Sequence, residues 1–339
     1  MSTRRFEVEV HSPFRLDLTV WALRRRPHNT IDTWDGTTYR RTLVAGGQPL
    51  GVAVHQEPGD DLDRSLLAVE LRRRGDEPSD AVVAEVRCSL ERMLGLGVDL
   101  AGFYELARRD ERLDQLARRF RGVRPPRFPS VFEALVNAVA CQQLSLTVGI
   151  HLLDRLAAAY GPTLPGRFAT PGFPSPEQLA GADPSHLRSL GFSQAKARTI
   201  LLIAGQVASG SLDLDGLERL GDDRAFAALV DLPGIGRWSG EYVLLRGLGR
   251  LQVLPGDDVG ARNNLRRRFG LAADAGYDEL AALGTMWWPY GGMVYFHLLL
   301  DGLAGAGHLE AVSGGAPPGR EARVLKDIDT DKEKKEEVA

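Results

Sequence analysis

Cysteine is nearly missing from this chain: Cys88 and Cys141 are the only two among 339 residues. Two thiols cannot build a four-cysteine metal or iron–sulfur site, and they suggest no disulfide framework. Long uncharged apolar runs are missing too, so no segment reads as a membrane span. The opening residues, Met1-Ser-Thr-Arg-Arg-Phe-Glu-Val-Glu-Val, lack the apolar core of a secretion signal, and a reducing cytoplasm is the expected compartment. The seven histidines show no metal-ligand spacing along the chain. His297 reads as packed within its helix, and no internal repeat is visible. Positive charge is not in excess either: 42 Lys and Arg stand against 45 Asp and Glu, for a net charge of −3. That sum is awkward for a nucleic-acid binder, whose phosphate affinity comes largely from Lys and Arg. Arginines do cluster at Arg24-Arg25-Arg26, from Arg118 to Arg127 and at Arg266-Arg267-Arg268. Singly, each cluster reads as a solvated face.

What is present is an ordinary globular composition, 43% hydrophobic and 26% charged, in a chain long enough for two or three domains. From Phe6 to about Leu71 the pattern is mostly strand-like. Phe6, Val8 and Val10 alternate with Glu7, Glu9 and His11, and Gly51–Val54 and Leu66–Leu71 are similar runs. Val82, Val83, Val86, Leu90 and Met93 then follow a helical period behind Ser79, an N-cap candidate. The pattern predicts an antiparallel sheet carrying at least one helix, an α+β domain over residues 1–105. Beyond Asp99 nearly everything reads as helix, with long apolar helices over Ser130–Gln143 and Ser145–Tyr160 and a last one near Pro289. An all-helical domain is expected over 106–312, and a charged, disordered tail over 313–339.

The most informative stretch is Leu232-Pro-Gly-Ile-Gly-Arg-Trp-Ser-Gly-Glu-Tyr, followed by an apolar helix and then Pro255-Gly256-Asp257-Asp258. Gly234 and Gly236 allow a tight turn. Its free amides, with the N-terminus of the next helix, make a nest for a phosphate. Asp258 precedes the helical run Val259–Phe269 and is first an N-cap candidate. A helix N-terminus also favours an ionised carboxylate. Such a charge stabilises the positive charge left on deoxyribose when an N-glycosidic bond breaks in a dry site.

These residues resemble the helix-hairpin-helix DNA glycosylases, and among them the branch that removes alkylated bases, 3-methyladenine included. The likeness extends to Ala140-Cys-Gln-Gln-Leu-Ser, to Ala182-Asp-Pro through Leu190-Gly-Phe, and to Trp288-Pro-Tyr, in the expected order. It implies an α+β N-terminal domain followed by an all-α glycosylase domain with its hairpin at 231–248. The resemblance makes Asp258 the catalytic carboxylate and leaves Asp257 solvated or capping. Where bifunctional relatives carry a nucleophilic lysine this chain has Trp238, which cannot form a Schiff base, so hydrolysis without strand cleavage is expected. Trp238 and Tyr242, four residues apart on one helical face, resemble a pocket wall that stacks on an extruded purine and attracts a cationic base.

The same resemblance implies DNA contacts from Gly234, Ile235, Gly236, Arg237, Gln142 and Gln143. Gln143 falls at a wedge position that fills the gap left by the flipped nucleotide. Leu299 stands where a pocket tryptophan is expected and Gly291-Gly292 where an arginine is expected, which suggests a different pocket. Trp21 from the N-terminal domain is a candidate to compensate, with a core role as its alternative. Some relatives hold a structural cation with hairpin carbonyls, here those of Leu232 and Ile235; no other metal and no cofactor is expected. The implied partner is double-stranded DNA containing damaged bases. The implied protein is a monomer, free of membranes, in the cytoplasm beside the nucleoid. A glycosylase for oxidised or deaminated bases and a non-catalytic hairpin DNA-binding protein are the alternatives.

Overall fold

In the computed structural model, residues 1–57, 64–164, 166, 170–272 and 276–309 are described; the tail expected over 313–339 lies outside them. The alternation around Val8 becomes β1, Ser2–His11, with Val8 and Val10 turned inward. The chain then enters α1, Leu16–Arg24, inside the stretch whose pattern is mostly strand-like. Leu16, Leu18, Val20, Ala22 and Leu23 are all buried. A short helix enclosed on most sides carries no polar stripe, and periodicity alone cannot separate it from a strand.

β2 (Thr33–Trp34), β3 (Thr38–Ala45), β4 (Gln48–Gln56) and β5 (Arg64–Arg73) follow. Together the five strands form one antiparallel sheet of order β1-β5-β4-β3-β2. Register places Val8 opposite Leu67 and Val52 opposite Leu71, so one face is apolar. α2, Asp80–Leu94, packs against β3 and α1.

Helices fill the rest: α3 (Ala101–Ala107), α4 (Glu111–Arg119), α5 (Val131–Cys141), α6 (Leu146–Tyr160), α7 (Pro176–Ala180), α8 (Pro184–Ser189) and α9 (Gln194–Ala208). A 3-10 turn at Asp215–Arg219 precedes α10 (Asp222–Val230), α11 (Arg237–Arg246), α12 (Val259–Phe269), α13 (Tyr277–Met286) and α14 (Gly291–Gly305). Ser130, Ser145, Ser175, Asp183 and Ser193 each accept a backbone amide at the start of α5 through α9, satisfying donors the helix leaves open. α5 is buried along nearly its whole length and packs against α6, α9 and α11. Among the described residues no helix is long and apolar enough to cross a membrane.

Arginine does much of the joining, which corrects the reading of its clusters as solvated faces. The Arg24 and Arg25 side chains are buried. Arg24 donates to the Pro27 and Trp34 carbonyls. Arg124 is buried too and reaches the His11 carbonyl at 2.7 Å. Arg267, Arg268 and Arg119 converge on the buried carboxylate of Asp301. Arg41, on β3, donates to Asp32 at 2.7 Å and to Glu133 of α5 at 2.6 and 2.5 Å. These guanidiniums satisfy carbonyls and carboxylates inside the fold, so charge that looks like surface in the sequence is internal bonding.

Candidate active site

The hairpin joins α10 to α11 as the glycines suggest, but the two glycines serve differently. Gly234 has φ +82°, and a Cβ there would stand 2.3 Å from Thr199 Oγ1, so both backbone and packing demand glycine. Gly236 has φ −96° and ψ −178°, ordinary extended backbone, and nothing lies within 4 Å of where its Cβ would be. The Ile235 amide donates to the Leu232 carbonyl at 3.0 Å and closes the turn. The Ile235 side chain is in the core, while Gly234, Gly236 and Arg237 are exposed.

Gln142 is the cap residue of α5, and its amide donates to Gly234 O at 2.8 Å and Ser239 Oγ at 2.9 Å. It therefore braces the hairpin rather than presenting its amide outward. Gln143, next to it, is exposed with φ +54°. A non-glycine residue held there is uncommon and strained.

Asp258 is the N-cap of α12. Its Oδ1 accepts the Ala261 amide at 2.8 Å, and its Oδ2 receives Trp238 Nε1 at 3.4 Å and the Tyr295 hydroxyl at 3.3 Å. One carboxylate thus holds the helix with one oxygen and faces two aromatic donors with the other. Burial, then the nearby Asp258 charge, pushes the Tyr295 hydroxyl well above its ordinary value, so it remains a donor. Asp257 corrects its sequence reading: it neither caps nor stands free in solvent. It lies between Arg237 Nε at 2.8 Å and Arg262 at 3.2 Å. Arg237 also lies over the Tyr277 ring, 3.6 Å from its centre, so this hairpin arginine is engaged with its own protein.

The loop carrying Asp258 is pinned by a residue the sequence reading did not single out. Glu241, on α11, accepts the Gly256 amide at 3.1 Å and the Tyr277 hydroxyl at 2.6 Å. Burial raises the Glu241 carboxyl, and burial with the Glu241 hydrogen bond pushes Tyr277 up to about 12. The Gly-Glu-Tyr run within the motif carried no sign that its glutamate turns inward.

Trp238 and Tyr242 pack with ring centres 5.4 Å apart, on one face as their spacing requires. Beneath them, Arg25 donates to the Tyr242 hydroxyl at 2.7 Å and to Asn137 Oδ1 at 2.6 Å. Arg25, the cap residue of α1, thus brings the N-terminal part against the aromatic wall. Trp21 is half-buried, its ring stacked on His308 with centres 6.4 Å apart and overlain by Arg24. Leu299, half-buried, stands one helical turn after Tyr295 on α14. Gly291 and Gly292 have a packing reason: a Cβ on Gly292 would lie 2.4 Å from Leu245 Cδ1 and 3.0 Å from the Leu251 carbonyl. An arginine there would have to displace that contact. His297 is fully buried, with Nδ1 2.8 Å from Met293 O. Lys196 is the one lysine among the described residues, and its Nζ donates to the Ala140 and Gln142 carbonyls at 2.9 and 2.7 Å.

A glycine turn between two helices, braced from a third and followed by an aspartate over an aromatic wall, defines a helix-hairpin-helix protein with a built carboxylate site. Residues 136–290 match the family described as HhH-GPD superfamily base excision DNA repair protein. The chain is 34% identical over 265 residues, 77% of this chain and 49% of the other, to the Mycobacterium tuberculosis "Probable bifunctional transcriptional activator/DNA repair enzyme AlkA". It is 29% identical over 277 residues, 81% of this chain and 90% of the other, to the Escherichia coli "DNA-3-methyladenine glycosylase 2". The solved 3-methyladenine DNA-glycosylase from Archaeoglobus fulgidus superposes with TM-score 0.75 at 25% identity, over 87% of this chain and 97% of that one. The chain spans about half the length of the mycobacterial relative and of a Bacillus subtilis one.

Proposed function

We propose that this protein is a monofunctional DNA glycosylase, one that hydrolyses the N-glycosidic bond of alkylated purines such as 3-methyladenine and 7-methylguanine and leaves an abasic site. The observation that carries the reading is the second oxygen of Asp258, which faces the Trp238–Tyr242 wall and is not consumed by helix capping. A purine turned out of the duplex stacks on that wall. The carboxylate then stands by the sugar, whose positive charge grows as the base departs. An alkylated purine is already cationic and leaves readily, so no acid is needed to protonate it.

Double-stranded DNA containing the lesion is the partner, bound by a monomer in the cytoplasm beside the nucleoid. The exposed Gly234 and Gly236 amides hold a phosphate, and Gly236 suits that role because a side chain there would stand in the open space the phosphate uses. Gln143, exposed beside Leu144, fills the gap left by the flipped nucleotide. Two observations support hydrolysis without strand cleavage: Lys196, the one lysine among the described residues, is engaged with two carbonyls, and Trp238 cannot attack the sugar.

One observation favours a second reading. Arg25 is buried under Tyr242 and hydrogen-bonds neutral groups there, and a fixed positive charge under the wall opposes a cationic base. Neutral lesions, deaminated or oxidised, would feel no such repulsion. The experiment compares base release from methylated, deaminated and oxidised duplexes while following strand integrity. Free 3-methyladenine or 7-methylguanine with intact strands is the expected result. Release of neutral lesions alone would select the second reading, and no release from any duplex would leave a DNA-binding protein.

A further inference from the structure

Histidines that share no ligand spacing in the sequence are gathered by the fold at one place. His151 and Asp154 lie one turn apart on α6, and the loop after α1 brings His28 against them. One possible ligand atom from each lies within 4.8 Å of the other two. The His28 and His151 rings stack with centres 3.9 Å apart and planes 19° from parallel.

The surroundings of the trio are those of oriented ligands. The buried Nε2 of His28 has no hydrogen-bond partner. A buried ring nitrogen without a partner is uncommon and calls for one, which a metal ion can supply. Asp154 Oδ1 accepts the Thr30 amide at 2.9 Å and the Thr30 hydroxyl at 3.0 Å, which sets the carboxylate and leaves its second oxygen to reach outward.

We propose that His28, His151 and Asp154 bind a divalent metal ion of the zinc class. The ligands are Nε2 of His28, a ring nitrogen of His151 and the second carboxylate oxygen of Asp154. Two imidazoles and one carboxylate suit zinc and its neighbours, whereas magnesium and calcium prefer all-oxygen sets. Zinc–ligand bonds of about 2.0–2.2 Å at tetrahedral angles put ligand atoms roughly 3.3 Å apart. The trio must therefore draw together. His151 is the exposed member, and it swings out of the stack so that its lone pair meets that of His28.

A bound ion ties the α1–β2 loop to α6. That loop also carries Arg26, which donates to Thr147 on α6 at 3.1 Å, and it follows Arg25 under the aromatic wall. The metal therefore acts as a clamp between the N-terminal part and the helix that begins just after Gln143. Nothing in this proposal depends on the glycosylase reading, and its test needs no DNA.

The experiment titrates Co2+ into the untagged full-length chain, followed by visible absorption, then displaces it with Zn2+ and records thermal unfolding. One Co2+ per chain, displaced by Zn2+, is expected, with Tm rising about 4 °C at a Zn2+ concentration near a hundred times Kd. His151→Ala removes an exposed side chain and should abolish both signals without unfolding the protein. Asp154→Asn keeps an oxygen for Thr30 and should weaken binding about tenfold or more. Cys88→Ser should bind like the wild type. No one-to-one Co2+ absorption in the wild type, or undiminished binding by His151→Ala, would overturn the proposal.

Discussion

As the proposed catalytic carboxylate, Asp258 carries two duties on two oxygens, and substitution can pull them apart. Capping rests on Oδ1 and the Ala261 amide at 2.8 Å. Asparagine caps about as well as aspartate, whereas alanine costs about 1 kcal/mol, or roughly 1–2 °C of Tm in a chain of this size. The proposed chemistry rests on Oδ2, which meets Trp238 Nε1 at 3.4 Å and the Tyr295 hydroxyl at 3.3 Å. An asparagine NH2 in its place faces two donors. The Tyr295 hydroxyl can turn to accept, the indole cannot, so Asp258→Asn should lose a few tenths of a kcal/mol and little more. Both variants lose the negative charge, and removing one preorganised electrostatic contact costs about 3–4 kcal/mol of transition-state stabilisation, or about 10²–10³ in rate. Single-turnover base release from methylated duplex, paired with thermal unfolding, reads the two duties separately. Asp258→Asn should be nearly silent and nearly as stable as wild type, and should bind damaged DNA at least as well; Asp258→Ala should be silent and less stable. An Asp258→Asn enzyme within tenfold of wild-type rate would refute the assignment of the carboxylate to the chemistry.

Gly236→Ala should unfold at the wild-type temperature, since its backbone is ordinary and its Cβ meets no protein atom, yet weaken DNA binding several-fold in a fluorescence titration; unchanged affinity would remove the phosphate from that turn. Arg41→Ala leaves Asp32 and Glu133 buried without their cation, and urea unfolding should show a loss of about 3–5 kcal/mol. Burial pushes the His297 imidazole down to about 4, so the unfolded chain takes up a proton that the folded one refuses. Its contribution is complete above about pH 6.5 and is lost as pH falls toward the folded value; at pH 5 the loss relative to pH 7 is about 2 kcal/mol. His297→Asn does not titrate and should flatten that part of the stability profile; an unchanged profile would place the acid sensitivity elsewhere.

The sheet was legible because period-two alternation is a one-sided signal: Val8 and Val10 inward, Glu7 and Glu9 outward. The long helices were legible from their serine caps and apolar runs. α1 was not, because burial on most sides erases the stripe that marks a helix. The arginines misled for a different reason. A sequence reports that a charge exists, and whether it meets solvent, a carbonyl or a carboxylate is decided by partners far along the chain, as with Arg25 and Tyr242.

That same limit divides the candidate site. Asp258, Trp238 and Tyr242 were within reach of the sequence because a local motif fixes their spacing, and a helix fixes their common face. Tyr295, Glu241 and Arg25 were not, because each acts across the fold on a partner at least 15 residues away. These three decide how the local motif behaves. Glu241 holds the loop that presents Asp258, Tyr295 shares its second oxygen with the indole, and Arg25 charges the floor under the wall. Two chains with the same hairpin and aspartate could therefore prefer different lesions. On the proposed function, the deciding contest in this chain is between an aromatic wall that attracts a cationic base and a buried guanidinium that repels it. The wall acts through direct stacking at contact distance, whereas Arg25 lies behind Tyr242 with its charge partly spent on two hydrogen bonds. The nearer interaction should win, which is why the alkylated purine stands first and the neutral lesion second.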